Sequence, residues 1–445
     1  MSRERIDLTQ EDIPRKWYNL LPDLPESIPP YKDAENGKDV RTLPENYSKT
    51  ASDLEFSEKR WIGIPDLVLN SYIHCGRPLP LIRAKGLEKY LKTPARIYYK
   101  CENLPPAGTF KTNTALPQAF WAMKEGYGRT VFSGGAGRTS FAQVFAAKKF
   151  GLTPTIFVAR EDCQRNMDYL LFLRNMYEAD VVESPSTRTE IGRRLLNESP
   201  DHPGSFEFRR EEVSEEARQS DDAVAVIESF LNHVLMTQTI IGLEIEKQLE
   251  SINEKPNIMI APVGGGSNFY GLIAPFMRDY LNKKLLDVKF IAVESETSSK
   301  LTKGTYDYVY LNTLQGLIPG LLLKTYNIEK MTPLSPIIAG GIWTQFTAPL
   351  LGFLRHLGLV NTVVYPKDEM AIFEAARIFL NTEGLLLAPE SSYAIKAAID
   401  EANKAKKIGE KKVIVVSVSA TTYLDFSERD GLYLSFMGRS SRSQI

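Results

Sequence analysis

From about residue 75 onward, short apolar runs rich in β-formers alternate with longer helical stretches. This alternation constrains the fold more than any other feature. Arg96-Ile97-Tyr98-Tyr99 predicts a strand and Thr114 to Lys124 a helix. Thr130 to Ser133 predicts a strand, and Thr139 to Lys149 a helix closed by Gly151, a helix-stop residue. Thr155 to Ala159 is a further strand, and Ile258 to Val263, Phe290 to Glu294 and Val413 to Val418 are near-continuously apolar. A strand apolar on both faces needs cover on both faces. Such strands alternating with helices specify an α/β fold with mostly parallel sheets.

Two regions stand outside this pattern. Residues 1 to about 60 are polar and carry Pro14, Pro22, Pro25, Pro29, Pro30 and Pro44, which suit extended or turn backbone. They read as an arm over the surface or over a second subunit. The stretch from Ser199 to Asp222 is dense in charge without a clear strand, and reads as an excursion between two halves. The 445 residues suit two or three domains of roughly 100–200 residues each.

Charge narrows the function. Lys+Arg 54 against Asp+Glu 55 gives a net charge of −1, which disfavours a general binder of nucleic acid or anionic membrane. Cys75, Cys101 and Cys163 form no disulfide framework or zinc pattern, and His74, His202, His233 and His356 no metal motif, so no metal is expected. Charges fill the start, MSRERIDLTQED, where a signal peptide needs an apolar core, and no apolar run nears the ~18 residues of a membrane span. A cytoplasmic protein is expected.

In open α/β sheets ligands bind beyond the carboxyl ends of strands, where helix N-termini present free N–H groups. Three loops have that placement. The first, Gly264-Gly265-Gly266-Ser267-Asn268, follows the strand ending at Val263. Three glycines let backbone approach a phosphate, and Ser267 and Asn268 add hydrogen bonds. No Gly-Lys-Ser/Thr follows and no GxGxxG is present, so a single phosphomonoester fits best. The plain alternative is a tight turn. The second loop, Pro105 to Asn113, places Lys111 at a helix start, where the helix dipole disfavours its charge. A desolvated lysine there suits a Schiff-base nucleophile; a solvated lysine is the commoner case. The third, Ser133-Gly134-Gly135-Ala136-Gly137-Arg138-Thr139, is small-residue backbone before a helix, suited to a carboxylate, or again a plain turn.

A lysine nucleophile, a monophosphate cup and a carboxylate cradle together suit pyridoxal phosphate acting on an amino acid. Ser419, ending the strand Val413 to Val418, offers a neutral hydroxyl to the pyridine nitrogen. A neutral partner leaves that nitrogen unprotonated, which favours β-elimination and replacement over transamination.

With these residues in hand, the chain resembles the tryptophan synthase β-chain family, in particular its long second class. The resemblance runs in order through Trp17 to Pro25, Gly76-Arg77-Pro78, Leu91 to Tyr98, the lysine loop, the third loop, Leu231 to Leu235 and the glycine cup. It continues through Leu301 to Gly304, Ala339-Gly340-Gly341 and Ala388-Pro389-Glu390-Ser391. It implies fold type II pyridoxal-phosphate chemistry on two three-layer α/β domains. Lys111 falls at the family's Schiff-base lysine, Gly264, Gly265, Gly266, Ser267 and Asn268 at its phosphate cup, Ser419 at the ring-nitrogen partner, and Glu390 near the ring. Gly135, Ala136 and Gly137 fall where the substrate carboxylate is received. The implied layout is an arm and first elements over 1–75, a crossing into the C-terminal domain over 76–111, an N-terminal domain over 112–228, and the rest of the C-terminal domain over 229–445. A homodimer is implied.

The sequence departs from the family where substrate should lie. Ser133 stands where the family has an acid/base glutamate, and serine is a poor acid or base at neutral pH. Arg138 replaces a glutamine, Thr139 a tryptophan and Phe110 a histidine. Trp343 stands where the second class has an arginine thought to grip a substrate phosphate, and Ala420-Thr421-Thr422-Tyr423 replaces a glycine- and histidine-rich end. The expectation is β-elimination or β-replacement on serine or an activated serine derivative, with a small nucleophile other than indole and Arg138 holding an acidic group. The alternatives are a genuine tryptophan synthase β chain and a catalytically silent cofactor-binding homologue. The family's mobile communication region, about Gly128 to Arg210, has diverged, so a docked α-type subunit is not expected.

Overall fold

The computed structural model describes residues 4–135, 137–309, 318, 320–328, 337–422, 433 and 436. Two sheets organise it. The larger has seven strands in the order Arg5–Ile6, Leu81–Arg83, Arg96–Cys101, Val413–Val418, Ile258–Pro262, Lys289–Ser295, Asn361–Tyr365. The first two are antiparallel additions at one edge; all other pairings are parallel. The smaller sheet, Asp180–Ser184, Thr153–Ala159, Arg129–Ser133, Ala223–Ala225, is wholly parallel.

The apolar runs show why. Along the larger sheet Met259, Ala261, Phe290, Ala292 and Val415 enter one core, while their neighbours Ile258, Ile260, Ile291, Val293 and Ile414 enter another. Along the smaller sheet Phe132, Ile156 and Val158 join the first of these cores, and Val131 and Phe157 a third. Successive side chains of a strand point to opposite faces, so each run is buried twice. One shared core lies between the sheets and one outside each. Every strand expected from the sequence is present, most lengthened by a residue or two, as Arg129–Ser133 and Thr153–Ala159 show.

The chain leaves the larger sheet after Cys101, passes through the lysine loop and the helix Thr112–Lys124, and enters the smaller sheet at Arg129. It returns after Ala225 through Asn232–Gln238 and Ile240–Glu250. A closed set of charges braces this crossing. Arg77 bonds Glu102 (2.5 Å) and Glu244 (2.8 Å), Lys100 bonds Glu244 (2.6 Å), and Asn113 accepts from Arg77. All four charged side chains are buried. Burial pushes the Glu244 carboxyl up, but Arg77 and Lys100 outweigh it and hold it below the usual range.

Two expectations are corrected. The proline-rich start is not an arm over the surface. Arg5–Ile6 extends the larger sheet, Lys16–Tyr18 pairs with Trp61–Gly63, and Trp17, Tyr18 and Leu20 are buried in the shared core. The prolines fall outside these strands, with Pro14 before Lys16–Tyr18 and Pro22 in the turn Leu21–Asp23 after it, so they cost the pairing no hydrogen bond. The charge-dense stretch after Ser199 is not an excursion either. It holds the helix Phe206–Arg218, which packs on the smaller sheet with Val213 and Ala217 buried. Its charges are used, since Glu212 accepts from Ser186 N and Thr189 Oγ1, and Glu215 caps Glu190 and Ile191. Among the described residues no helix is long and apolar enough to cross a membrane.

Candidate active site

A cavity of about 450 Å³ opens at the carboxyl ends of strands from both sheets. It is lined by Lys111, Ser133, Gly134, Gly135, Gly137, Arg138, Thr139, Gly264, Gly265, Gly266, Ser267, Asn268, Glu390 and Ser419. These are the residues singled out from the sequence, with two exceptions. Trp343 does not line it; its ring packs against the outer core of the larger sheet. Ala136, like Tyr423, lies outside the described residues.

Lys111 sits at the cap of the helix Thr112–Lys124. Gly108, at φ +61°, turns the preceding loop, a conformation that favours glycine. The loop is then stitched to the end of the central strand Val413–Val418 by Phe110 N to Ser419 O (3.1 Å) and Thr421 N to Gly108 O (2.8 Å). The lysine Nζ donates to the Glu228 carbonyl (2.7 Å) at the smaller sheet. Burial pulls its pKa down to about 8; Glu228 opposes this and Arg210 adds to it. The side chain keeps one face open to the cavity but is otherwise walled by protein, so the shift is desolvation. At pH 7 roughly a tenth of such an amine is neutral, against well under a thousandth for an ordinary lysine.

The glycine cup is closely packed. A Cβ on Gly264 would overlap the Gly341 carbonyl, and one on Gly265 would overlap Ser229 Oγ and Phe230. Gly266 has φ +100° and faces Leu351. It caps the helix Ser267–Leu281, whose free N–H groups face the cavity, an anion site by geometry. Asn268 accepts from Ser417 Oγ (2.9 Å), and its Nδ2 is buried without a partner among the described residues. Ser419 Oγ lies 3.1 Å from Ser391 Oγ, a neutral pair at the strand end.

The third loop is held from outside: Ser140 Oγ donates to Gly135 O (2.6 Å), Tyr169 OH to Gly137 O (2.7 Å) and Arg209 Nη1 to Gly134 O (2.7 Å). Ser133 Oγ is buried without a partner among the described residues and borders the cavity. Arg138 crosses the mouth to Glu390 Oε2 (3.0 Å) and Thr421 O (2.6 Å), and Glu390 also accepts from Gly341 N (2.8 Å). The arginine charge expected to hold an acidic group is thus already matched inside the protein.

The model of the family described as pyridoxal-phosphate dependent enzyme matches residues 74–420. The chain belongs to this family. Within it the chain is 42% identical over 421 residues to the tryptophan synthase beta chain 2 of Methanothermobacter thermautotrophicus, covering 95% of this chain and 96% of that one. It is 43% identical over 424 residues to the tryptophan synthase beta chain 2 of Thermotoga maritima, covering 95% and 98%. Solved structures share the fold: maize serine racemase at TM-score 0.57 and 18% identity, covering 85% and 98%, and the processed threonine deaminase isoform 2 of Solanum lycopersicum at TM-score 0.56 and 18% identity, covering 84% and 95%. The fold is therefore that of fold type II pyridoxal-phosphate enzymes, and the chain is a pyridoxal-phosphate dependent lyase or synthase similar to tryptophan synthase β chains.

The site fits that cofactor. Backbone N–H groups and the unpartnered Asn268 Nδ2 suit a phosphate, the glycine cup admits close backbone contact, Lys111 suits an aldehyde carbon and the Ser419 hydroxyl suits a ring nitrogen. Sequence reasoning missed Asp162, Arg165, Asn166, Arg209, Glu228 and Ser229, which also line the cavity. A signal existed for most of them. Asp162, Arg165 and Asn166 follow the carboxyl end of Thr153–Ala159, and Glu228 and Ser229 that of Ala223–Ala225, the end where ligands bind.

Proposed function

We propose that the chain performs β-elimination or β-replacement on a serine derivative with an activated leaving group, and that its normal nucleophile is small and polar. One observation carries the second half. Among the described residues, every side chain that the smaller-sheet half brings to the cavity is polar or charged, including Ser133, Thr139, Ser140, Asp162, Arg165, Asn166, Arg209, Glu228 and Ser229. An apolar bicycle such as indole finds no matching surface there, and the polar groups around it would lose hydration without gaining partners.

Pyridoxal phosphate supplies an electron sink for the substrate α-carbon. Lys111 holds the cofactor through Nζ, takes the α-proton and returns it. Gly264 to Asn268 hold the phosphate, and Ser419 faces the ring nitrogen with a neutral hydroxyl. Backbone N–H groups of Gly134, Gly135 and Gly137 orient the substrate carboxylate. Ser133 offers no carboxylic acid to protonate a poor leaving group, so the leaving group must depart as a stable anion. The test is product formation from serine, O-acetylserine and O-phosphoserine against indole, thiols and amines. A small polar nucleophile is expected to exceed indole in kcat/KM by about tenfold or more, near 1.4 kcal/mol. Tryptophan formed with the higher kcat/KM sinks the proposal. Lys111→Ala should lose the visible absorbance band of bound cofactor, and an unchanged band refutes the lysine assignment.

A second reading, a tryptophan-forming β chain, is favoured by about 42% identity along nearly the whole chain. It predicts tryptophan from indole and serine at a rate matching the other nucleophiles.

A further inference from the structure

Lys300 is buried and lies outside the cavity, directly behind the glycine cup. Its ammonium donates to three backbone carbonyls: Val263 (2.8 Å), Ser298 (3.2 Å) and Ile342 (3.4 Å). Val263 immediately precedes Gly264. Ile342 immediately follows Gly341, whose own carbonyl leaves no room for a Cβ on Gly264. Two segments that wall the site therefore turn carbonyl oxygens towards one point. Partial negative charges converging in a dry interior repel each other unless a cation lies between them. Among the described residues the one carboxylate in reach, Glu294, is 3.9 Å away, and its oxygens accept instead from Leu301 N, Thr302 N and Thr302 Oγ1. The ammonium is thus coordinated as a small monocation would be, by carbonyl oxygens.

We propose that Lys300 is a tethered cation, a positioning residue that holds the phosphate cup against the Gly340–Ile342 wall so that no free monovalent cation is needed there. The inference rests on the reading of Gly264 to Asn268 as the phosphate cup. The residue touches neither cofactor nor substrate; it fixes the peptide ahead of Gly264, and through it the direction of the N–H groups that meet the phosphate. A lysine retained only to fill space would gain more by being an apolar chain of the same length, since a buried ammonium needs every proton bonded.

The test uses the full chain and cofactor affinity, read from the visible band, in potassium chloride and in tetramethylammonium chloride at equal ionic strength. Tetramethylammonium is too large for such a site. The unaltered chain is expected to bind pyridoxal phosphate equally in both salts. Lys300→Ala should lose about tenfold in tetramethylammonium and recover in potassium or ammonium, whereas Lys300→Met, which fills the space, should lose affinity and not recover. A potassium requirement in the unaltered chain overturns the proposal without any variant. So does Lys300→Ala binding the cofactor normally in tetramethylammonium, or losing affinity that no cation restores while its melting temperature is unchanged. Absence of the band in every salt overturns the cup reading instead, and the inference with it.

Discussion

The two glycine-rich loops that face each other across the cavity differ in how tightly they are built. In the cup, Gly264, Gly265 and Gly266 each have an atom where a Cβ would go. In the opposite loop Gly134 is so confined, by Ser140 and Ile156, but around Gly135 the nearest atoms to a Cβ are 3.6 Å and 3.9 Å away. One wall of the site is fixed by packing, and the other keeps room. By the resemblance, the fixed wall matches the family from Gly264 to Asn268, while the roomier one matches at Gly135, Ala136 and Gly137 but departs at Ser133, Arg138 and Thr139. A cofactor shared by many enzymes calls for the first kind of wall, and a substrate particular to one calls for the second.

That contrast can be broken in several places. The largest effect should come at the crossing between the sheets that frames both walls. Arg77→Met takes the ion-pair partner from buried Glu102 and leaves Glu244 to Lys100 alone, and a cost of about 3–5 kcal/mol is expected in denaturant unfolding. Next, Gly265→Ala should weaken cofactor binding by about 10- to 100-fold, the equivalent of an overpacking penalty of about 1–3 kcal/mol, measured by equilibrium dialysis. The pH dependence of loading sharpens the role of Lys111. Only the neutral amine attacks an aldehyde, so the rate of band formation should climb about tenfold per pH unit and level off above about 8; an ordinary lysine would still be climbing at pH 10. Arg138→Gln breaks a largely buried ion pair but keeps a side chain that can still donate to Glu390, so KM for the amino acid should move by up to about fivefold, near 1 kcal/mol, with cofactor affinity unchanged. Smallest of all, Gly135→Ala should leave cofactor affinity within about twofold. A loss there equal to that of Gly265→Ala would remove the distinction between the walls.

What was legible in the sequence follows the same division. The strands and the cup announce themselves because burial on both faces and backbone crowding each impose local residue choices: a run of Val and Ile, three consecutive glycines. Lys111 was legible from its place at a helix start. Its partner was not, because the acceptor is the backbone carbonyl of Glu228, 117 residues on, and any residue has a carbonyl. Arg138 misled because its sequence neighbours say nothing of Glu390, 252 residues away. The N-terminal segment misled because prolines report an extended backbone but not what covers it. Tyr18 N is in fact bonded to Thr239 Oγ1 inside the shared core.

The hydrogen bond from Lys111 to the Glu228 carbonyl has one more consequence. It is a contact between the lysine loop and the segment that follows the smaller sheet, and it uses a proton of the nitrogen that would hold the cofactor on the proposed reading. A lysine so engaged would have fewer protons to offer, and the Glu228 oxygen would then be an acceptor on the substrate side of the cavity. Occupancy of one wall would in this way be felt by the other, through a single atom.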